Sequence, residues 1–384
     1  MNKIFKKISR ITSKLNHDFK NYHVFSLQKN LLNKFSFKKN NKVKFSDKFI
    51  SRITAYASFL KENEPPQNKN DLWSVLGKEI NHSSFIETAC NAKHNKNKFI
   101  KFIMNFGKSN SLHGFGPNIY TYSRLIKNKY YRTKEKFYFL DYLVSLSEYY
   151  GNTKVYNPQQ GGWMVEKEDF DKLIKKIFKP NVKIFKTPDY YYGYKFNNKF
   201  LFSMDLKAMH SAERLASVYK HNNLSEVVEI GGGAGYASHY FTQQIKTKYT
   251  IYDLPYASIL QAIHLAQSLG ENYLHLENEK KINKNCIYIK PYWKIFHHKT
   301  KNNILWFNED SMTEINHNLV NKYVEKILKS KKSMFLSINQ EAINDYGLGI
   351  KQHKVRNFMK KSNIIYRSRD FLRPGYIEEL YKID

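Results

Sequence analysis

Short apolar runs alternate with longer amphipathic stretches in the second half of this chain. After Leu224, seven such runs are separated by segments whose apolar residues repeat at helical spacing. This alternation predicts a mostly parallel sheet with helices on both faces. The predicted strands are residues 227–230, 249–252, 286–289, 304–307, 334–338, 364–366 and 376–381. A ligand is expected at their carboxyl ends, near the switch between the first and fourth strands.

The first half of the chain shows helical periodicity instead. We predict helices over residues 49–60, around Trp73, over 99–106, and a longer one that Thr133 opens. Between residues 151 and 200 the chain turns to glycine, proline and aromatic residues. The tyrosines of this stretch fit either a sugar ring or a packing cluster between domains, and they are Tyr190, Tyr191, Tyr192 and Tyr194.

These patterns divide the chain into three parts: residues 1–45, a helical accessory or acceptor-binding region over 46–200, and a catalytic domain over 201–384. The first part is basic and carries apolar residues at helical spacing, namely Ile4, Ile8, Ile11 and Leu15. It predicts either a disordered basic tail or an amphipathic helix on an anionic membrane surface.

No stretch reaches the roughly 18 apolar residues of a membrane-spanning helix, and the N-terminus lacks the apolar core of a secretory signal. Cys90 and Cys286 stand far apart, without a disulfide framework or a zinc spacing. We therefore expect a cytoplasmic chain that starts near Met1. We also consider that it could contact the inner membrane face peripherally.

The formal net charge is +31 and the isoelectric point is near 9.7. Such a charge favours an anionic partner, whether nucleic acid, membrane or acidic substrate. The abundance of Lys, Asn, Ile, Phe and Tyr, which all have A/T-rich codons, offers an explanation from genome composition instead. Charge alone does not decide between these interpretations.

A glycine-rich motif follows the first predicted strand, in VVEIGGGAGYAS at residues 227–238. Asp253 ends the next strand, 20 residues after Gly233. Glycines let backbone N–H groups approach a ligand closely, and an acid on the next strand can accept hydrogen bonds from ribose hydroxyls. The spacing fits an adenosine-containing cofactor.

The register of these glycines excludes the dinucleotide fingerprint G-x-G-x-x-G, because Tyr236 stands where its third glycine belongs. What remains is E-x-G-x-G-x-G, in which Glu229 leads. This acid would lie beside a bound cation. The alternative is a glycine turn in an ordinary strand–helix unit.

Polar residues also follow the fourth and fifth predicted strands, as residues 308–314 and 339–341. They predict an active-site wall, although Asp310 and Ser311 could instead cap the next helix with Glu314 in a capping box. The candidates for a general base are His210, Asp310, Glu314, Glu341 and His353.

Two other ligand-binding roles suggest themselves near these strands. Mg²⁺ could be held by Asp310, Asn339 and Glu341, but no spacing rule separates ligands from caps, so Mg²⁺ is a possible cofactor that we do not favour. Arg373 could pair with a phosphate or carboxylate, or lie on the surface of a turn.

Five motifs in this order resemble a family of sugar O-methyltransferases from bacterial polysaccharide gene clusters: EIGGGAG, YDLP, NEDSMTEI, SINQEA and RPGYIEELY. The resemblance covers about residue 200 to the end. In the fourth-strand turn the family has Asn-Thr-Asp-Ser, whereas this chain has Glu309 at the second place.

The resemblance implies a class I methyltransferase: an α/β, Rossmann-like, seven-stranded, mostly parallel sheet that binds S-adenosyl-L-methionine and acts on a sugar or glycan. It implies cofactor contacts from Glu229, Gly231, Gly233, Gly235, Asp253, Leu254 and Asn308.

Two other functions compete with this interpretation. An RNA or DNA methyltransferase would explain the charge, but the chain has no D/N-P-P-Y loop and no Pro-Cys nucleophile. Ribose methylation stays open. A non-catalytic module that retains the fold for binding is the third interpretation. We favour the sugar enzyme.

Overall fold

The computed structural model describes residues 34–37, 43–66, 82–108, 122–151, 170–187, 191–197, 199–280, 286–299, 302–341, 352–360 and 362–384. The apolar pattern within residues 1–33, the helix predicted around Trp73, and Tyr190 lie outside the described residues.

Helices dominate the described residues before position 178. They are α1 (Asp47–Asn63), α2 (His82–Cys90), α3 (Lys96–Met104), α4 (Tyr122–Lys127), α5 (Lys129–Tyr149) and α6 (Phe170–Ile177). The predicted helices over 49–60 and 99–106 are confirmed, the second with both ends shifted towards the N-terminus. The prediction that Thr133 opens α5 is wrong, since the Asn128 side chain caps this helix by accepting from Tyr130 N at 2.9 Å.

A small antiparallel sheet interrupts the region predicted to be helical. It consists of β1 (Phe35–Phe37), β2 (Tyr192–Phe196) and β3 (Lys199–Leu201), with β2 in the middle. Sequence periodicity missed it because β1 and β3 are three residues long. Tyr194 is fully buried and stacks on Phe139 of α5 with ring centroids 5.3 Å apart. Tyr191 and Tyr192 are buried too, so these three tyrosines form a packing cluster.

The second half contains helices α7 (Ser203–His221), α8 (Tyr236–Gln244), α9 (Pro255–Leu269) and α10 (His317–Leu328). Its strands are β4 (Glu226–Ile230), β5 (Lys248–Asp253), β6 (Leu274–Leu276), β7 (Ile287–Pro291), β8 (Ile304–Glu309), β9 (Ser333–Gln340), β10 (Asn363–Arg369) and β11 (Tyr376–Ile383). All seven predicted strands are present. The sheet has an eighth strand, β6, which was too short to be predicted.

The strand order is β10-β11-β9-β8-β4-β5-β7-β6, and only β11 runs antiparallel to its neighbours. The α/β, mostly parallel fold class is therefore confirmed. The strands that follow β4 in the chain, β5 to β7, lie on one side of it in the sheet. The chain then crosses over, and β8 lies on the other side of β4. The carboxyl ends of β4 and β8 are thus adjacent at a topological switch point, where ligands of such sheets bind.

Helix α1 packs against the β6–β7 edge of the large sheet. Arg52 of α1 donates to the Leu274 carbonyl at 2.8 Å and pairs with Glu279, with 2.5 Å between Nε and Oε1. The Tyr56 hydroxyl donates to the Ile289 carbonyl at 3.3 Å. One continuous apolar core joins both halves of the chain. Across the described residues, no helix combines the length and the hydropathy needed to cross a bilayer.

Candidate functional site

A glycine loop joins β4 to α8 at the carboxyl edge of the sheet. Gly231 and Gly235 have φ angles of +71° and +85°, a backbone region that side chains other than glycine rarely adopt. A Cβ atom on Gly231 would lie 2.1 Å from Ser311 Oγ, because the turn after β8 packs directly against the loop. The glycine motif therefore serves a close approach of two backbone segments as well as a tight turn.

Asp253 ends β5 and holds this loop. Its Oδ2 accepts from Gly233 N at 2.9 Å and from Gln261 Nε2 at 2.7 Å, and its Oδ1 accepts from Leu254 N at 2.7 Å. Burial raises the pKa of Asp253 to about 7, against the lowering effect of these three hydrogen bonds. The structure thus brings together the acid and the glycines that the sequence singled out.

Glu229 lies on β4, one residue before the loop-facing end of the strand, and its side chain is buried. The Tyr249 hydroxyl donates to Glu229 Oε2 at 3.0 Å. Burial raises the pKa of Glu229 to about 8, and the nearby carboxylates of Glu309 and Asp253 add to this effect. Glu229 is therefore mostly protonated at neutral pH. A cation bound beside it would favour the ionised form and so the release of this proton.

Asn308 ties together the ends of three strands. Its Nδ2 donates to the Ile230 carbonyl at 2.7 Å, and its Oδ1 accepts from Asn339 Nδ2 at 2.9 Å. Ser311 Oγ donates to the same carbonyl at 3.1 Å. Ser311 and Asp310 do not cap α10, since that helix begins at His317 behind an Asn316 cap. The side chain of Asn308 builds the wall of the site through protein contacts.

Five buried or half-buried charged residues form what we call the edge cluster: Lys207, Glu309, Asp310, Asp370 and Arg373. Arg373 joins three carboxylates, at 2.8 Å to Glu309, 2.9 Å to Asp310 and 3.3 Å to Asp370. Lys207 of α7 contacts Asp310 and lies 3.4 Å from Glu309. Arg373 is therefore not a surface arginine. It is also not available to bind a phosphate, because it already pairs with three carboxylates of this chain.

The pKa values of Glu309 and Asp310, the two acids of the edge cluster at the end of β8, are shifted in opposite directions. Burial raises the pKa of Glu309. Burial also acts to raise that of Asp310, but Arg373 and Lys207 outweigh it and hold the pKa at about 2. Asp310 is consequently a weak proton acceptor at neutral pH. Sequence reasoning missed Lys207, although it stands one helical turn before His210 on α7.

His210 lies beside the edge cluster, with Nδ1 4.0 Å from Asp370 Oδ2. Its ring contacts Tyr149 and Phe371, whose centroids are 5.4 Å and 6.0 Å away. Burial lowers the pKa of His210, so its imidazole is neutral at neutral pH. Tyr149 and Phe371 are 37% and 48% exposed and therefore present aromatic surface next to a buried imidazole.

The other base candidates lie apart from His210 and have different partners. Glu341 accepts from the two terminal guanidinium nitrogens of Arg367 at 2.8 Å and 2.9 Å, and these hydrogen bonds lower its pKa. Glu314 accepts from the amides of Gln340 and Gln352. The ring of His353 packs against His317 and Phe358.

The three residues considered for Mg²⁺ are each engaged by a different partner: Asp310 by Arg373, Asn339 by Asn308, and Glu341 by Arg367. Within the part of the chain that the structure describes, no group of three or more His, Cys, Asp or Glu residues could hold a metal ion.

No family model and no curated protein matches this chain. Among solved structures, it is similar to mitomycin 7-O-methyltransferase, at 13% identity and a TM-score of 0.34 over 47% of this chain and 57% of that one. It is also similar to geranyl diphosphate methyltransferase, at 9% identity and a TM-score of 0.34, over 47% of this chain and 83% of that one.

A third similar structure is an O-methyltransferase family protein from Burkholderia thailandensis, at 9% identity and a TM-score of 0.34. The matched region covers 47% of this chain and 57% of that one. This chain thus spans just over half the length of the first and third of these proteins. With identities and TM-scores this low, the function of this chain has to be argued from its own residues.

Proposed function

We propose that this protein is an S-adenosylmethionine-dependent O-methyltransferase whose acceptor is a sugar hydroxyl, in a nucleotide sugar or a bacterial surface glycan. The observation that carries the proposal is the 2.9 Å hydrogen bond from Gly233 N to the Asp253 carboxylate. It holds the glycine loop after β4 and the acid that ends β5 side by side at the switch point. Nucleoside ligands of parallel α/β sheets bind at this place, with such an acid on the ribose.

We call the glycine loop at 231–235, together with Glu229 and Asp253, the cradle. These residues fit an adenosine ligand with a positively charged sulfur. A carboxylate offers about four acceptor positions, and three N–H groups occupy those of Asp253, which leaves one for a ribose hydroxyl. Glu229 offers a proton that it can give up when a cation binds beside it. When bound, S-adenosylmethionine supplies an electrophilic methyl group.

The acceptor side of the proposal rests on Tyr149 and Phe371. Their half-exposed rings, 5.5 Å apart, present apolar faces next to the charged groups of the edge cluster. A sugar has C–H faces that pack on aromatic rings and hydroxyl edges that hydrogen-bond to charged groups. The surplus positive charge of the chain would attract a sugar that carries phosphate or carboxylate groups.

We assign His210 as the general base. Asp310 and Glu341 are poor proton acceptors because cations hold their pKa values low, whereas His210 is neutral and can accept a proton. The acceptor hydroxyl must lose its proton as it attacks the methyl group in line, and His210 takes that proton. The nearby Asp370 carboxylate stabilises the imidazolium that results.

Replacing Asp253 with alanine is the direct test of the cradle. Hydrogen bonds to a charged group contribute about 1.5–3 kcal/mol, so we expect affinity for S-adenosylmethionine to fall roughly 10- to 100-fold. Titration calorimetry measures this change. The matched control is Asp205→Ala, which removes another buried carboxylate that accepts from Phe202 N and from the Tyr240 hydroxyl. Unchanged affinity in a folded Asp253→Ala variant would remove the cofactor assignment.

The raised pKa of Glu229 predicts a pH-dependent affinity for the cofactor. Below pH 8 a cation must displace the proton of Glu229, so binding should tighten by up to about tenfold per pH unit between pH 6.5 and 8. Calorimetry at a series of pH values measures this slope, and Glu229→Gln should reduce it to the part that Asp253, with its pKa of about 7, contributes.

Glu226→Gln on the same strand is the control for this slope. Burial acts to raise the pKa of Glu226, but the neighbouring His298 and Lys248, at 3.4 Å and 2.7 Å, hold it at about 2, so it keeps its charge throughout the range. The Glu226→Gln variant should retain the slope of the native protein. Equal slopes in the native protein and Glu229→Gln would show that Glu229 does not respond to the ligand.

Incubation with methyl-labelled cofactor identifies the acceptor. We expect label to appear on members of a panel of nucleotide sugars and bacterial oligosaccharides, with S-adenosylhomocysteine formed in equal amount. RNA homopolymers belong in the same panel, because label on RNA would contradict the sugar assignment while retaining the methyltransferase. Cofactor binding with no turnover on any acceptor would favour a non-catalytic module.

A further inference from the structure

A cavity of about 810 Å³ lies away from the glycine loop and Asp253. It is lined by residues 43–44 before α1, the segment 183–187, residues 199–200 of β3 and the end of α9 at 267–270. Helix α9 starts next to the cradle, two residues after Asp253, and ends at this cavity. At 1.5 Å per residue its 15 residues separate the two places by roughly 20 Å, so the cavity is a separate site.

The charged side chains around this cavity all carry the same sign. Lys44, Lys183, Lys186 and Lys199 line it, with no Asp or Glu among its described lining residues. Within the described chain none of these four lysines has a carboxylate partner. The acid next in sequence, Glu271, is already bonded to the backbone N and the hydroxyl of Ser46. Four unneutralised cations around one concave space favour an anionic ligand.

The cavity also has an apolar wall and a fixed frame. Ile184, Phe185 and Leu269 are buried, and Phe200 is half-buried. The lysine-bearing segment is pinned at two points, because Lys183 N donates to Gln243 Oε1 at 2.7 Å and Lys186 N donates to Ser268 Oγ at 2.8 Å. Such a wall beside several lysines suits a ligand that is part anion and part apolar.

One polar group in the lining has its hydrogen-bonding capacity unused. The side-chain oxygen of Gln267 is buried and accepts no hydrogen bond from any described residue. Buried amide oxygens are rarely left in this state, and a donor from a ligand would satisfy it. This observation is independent of the lysines and points to the same cavity.

We propose that this cavity binds an organic diphosphate, with the lysines on the phosphates and the apolar wall on the attached group. The volume of about 810 Å³ falls within the roughly 300–1,000 Å³ of small-molecule sites. The attached group is either a nucleoside, whose base packs on Phe200 and donates to Gln267, or an isoprenoid lipid. Both sources share the diphosphate and differ in the apolar part, which the experiment distinguishes.

Titration calorimetry on the full chain tests this site with three probes: uridine diphosphate, farnesyl diphosphate and inorganic pyrophosphate. An adenine nucleotide is avoided because it could enter the cradle. We expect one of the organic diphosphates to bind at least about tenfold tighter than pyrophosphate, and the tighter one identifies the apolar part. The double variant Lys183→Gln/Lys186→Gln should weaken that binding about tenfold or more.

The matched control is Lys322→Gln/Lys329→Gln, which removes the same charge from exposed lysines in and just after α10. It should leave the affinity for the organic diphosphate within about twofold of the native value. Binding of pyrophosphate as tight as that of both organic probes, equal losses in the two double variants, or no binding at millimolar concentration would overturn the inference. Affinity for S-adenosylmethionine, measured in parallel, reports on the cradle separately, so failure of one site leaves the other assignment standing.

Discussion

Replacing Gly231 with alanine is expected to lower the free energy of unfolding by roughly 2–5 kcal/mol. Two costs combine at this position. The φ angle of +71° is strained for any residue with a Cβ, and the added Cβ would lie 2.1 Å from Ser311 Oγ and 2.5 Å from Ser311 Cβ. Neither segment can move away easily, because Ser311 and Asn308 are both bonded to the Ile230 carbonyl. Urea unfolding followed by circular dichroism measures the change.

Gly151 provides the matched control for backbone strain alone. Its φ angle is +67°, but a Cβ there would meet no atom of the described residues within 4 Å. We therefore expect Gly151→Ala to cost only about 1–2 kcal/mol. Adding Ser311→Gly to Gly231→Ala should recover part of the larger loss, because it removes the atoms that the new Cβ meets. Equal costs at Gly231 and Gly151 would show that the loop and the β8 turn do not pack as tightly as described.

The parts of the fold that could be predicted from sequence are those with local signals. Short, mostly apolar runs marked β4, β5, β7 and β8, and the glycines marked the loop after β4. Four strands escaped. β1, β3 and β6 are three residues long and therefore have no measurable period, and the five residues of β2 lie in a stretch that we interpreted only as a tyrosine cluster. Their place is fixed by partners distant in sequence, as in the pairing of Phe35 with Tyr194.

The candidate site divides in the same way. The meeting of Gly233 and Asp253 follows from parallel strand geometry, since the carboxyl ends of neighbouring strands share one edge. The edge cluster does not follow from sequence, because Lys207 reaches Asp310 only when α7 packs on the sheet. From the sequence alone, Asp310 and Glu341 were equal candidates for a general base. Only their cationic neighbours, Arg373 and Arg367, reveal that both are poor proton acceptors.

Replacing His210 with glutamine is expected to lower kcat by roughly 10²- to 10⁴-fold, with little change in cofactor affinity. The loss has a chemical cause: a sugar hydroxyl is a poor nucleophile, and His210 is the neutral proton acceptor beside Tyr149 and Phe371. Single-turnover rates with the acceptor found in the labelled-cofactor panel measure the effect. Because burial lowers the pKa of His210, kcat of the native enzyme should stay level near pH 7 and fall only below pH 6.5.

His353→Gln is the control, since His353 was the other histidine that the sequence offered as a base. Burial lowers its pKa as well, but its ring contacts His317 and Phe358 instead of the edge cluster. We expect its kcat to stay within about threefold of the native value, with an unchanged acidic limb in the pH profile. A large loss in His353→Gln, or native single-turnover rates in His210→Gln, would assign the proton transfer to another residue. A loss in His210→Gln without a change in the shape of the pH profile would make His210 a positioning residue, because removal of the base must abolish the limb that its titration produces.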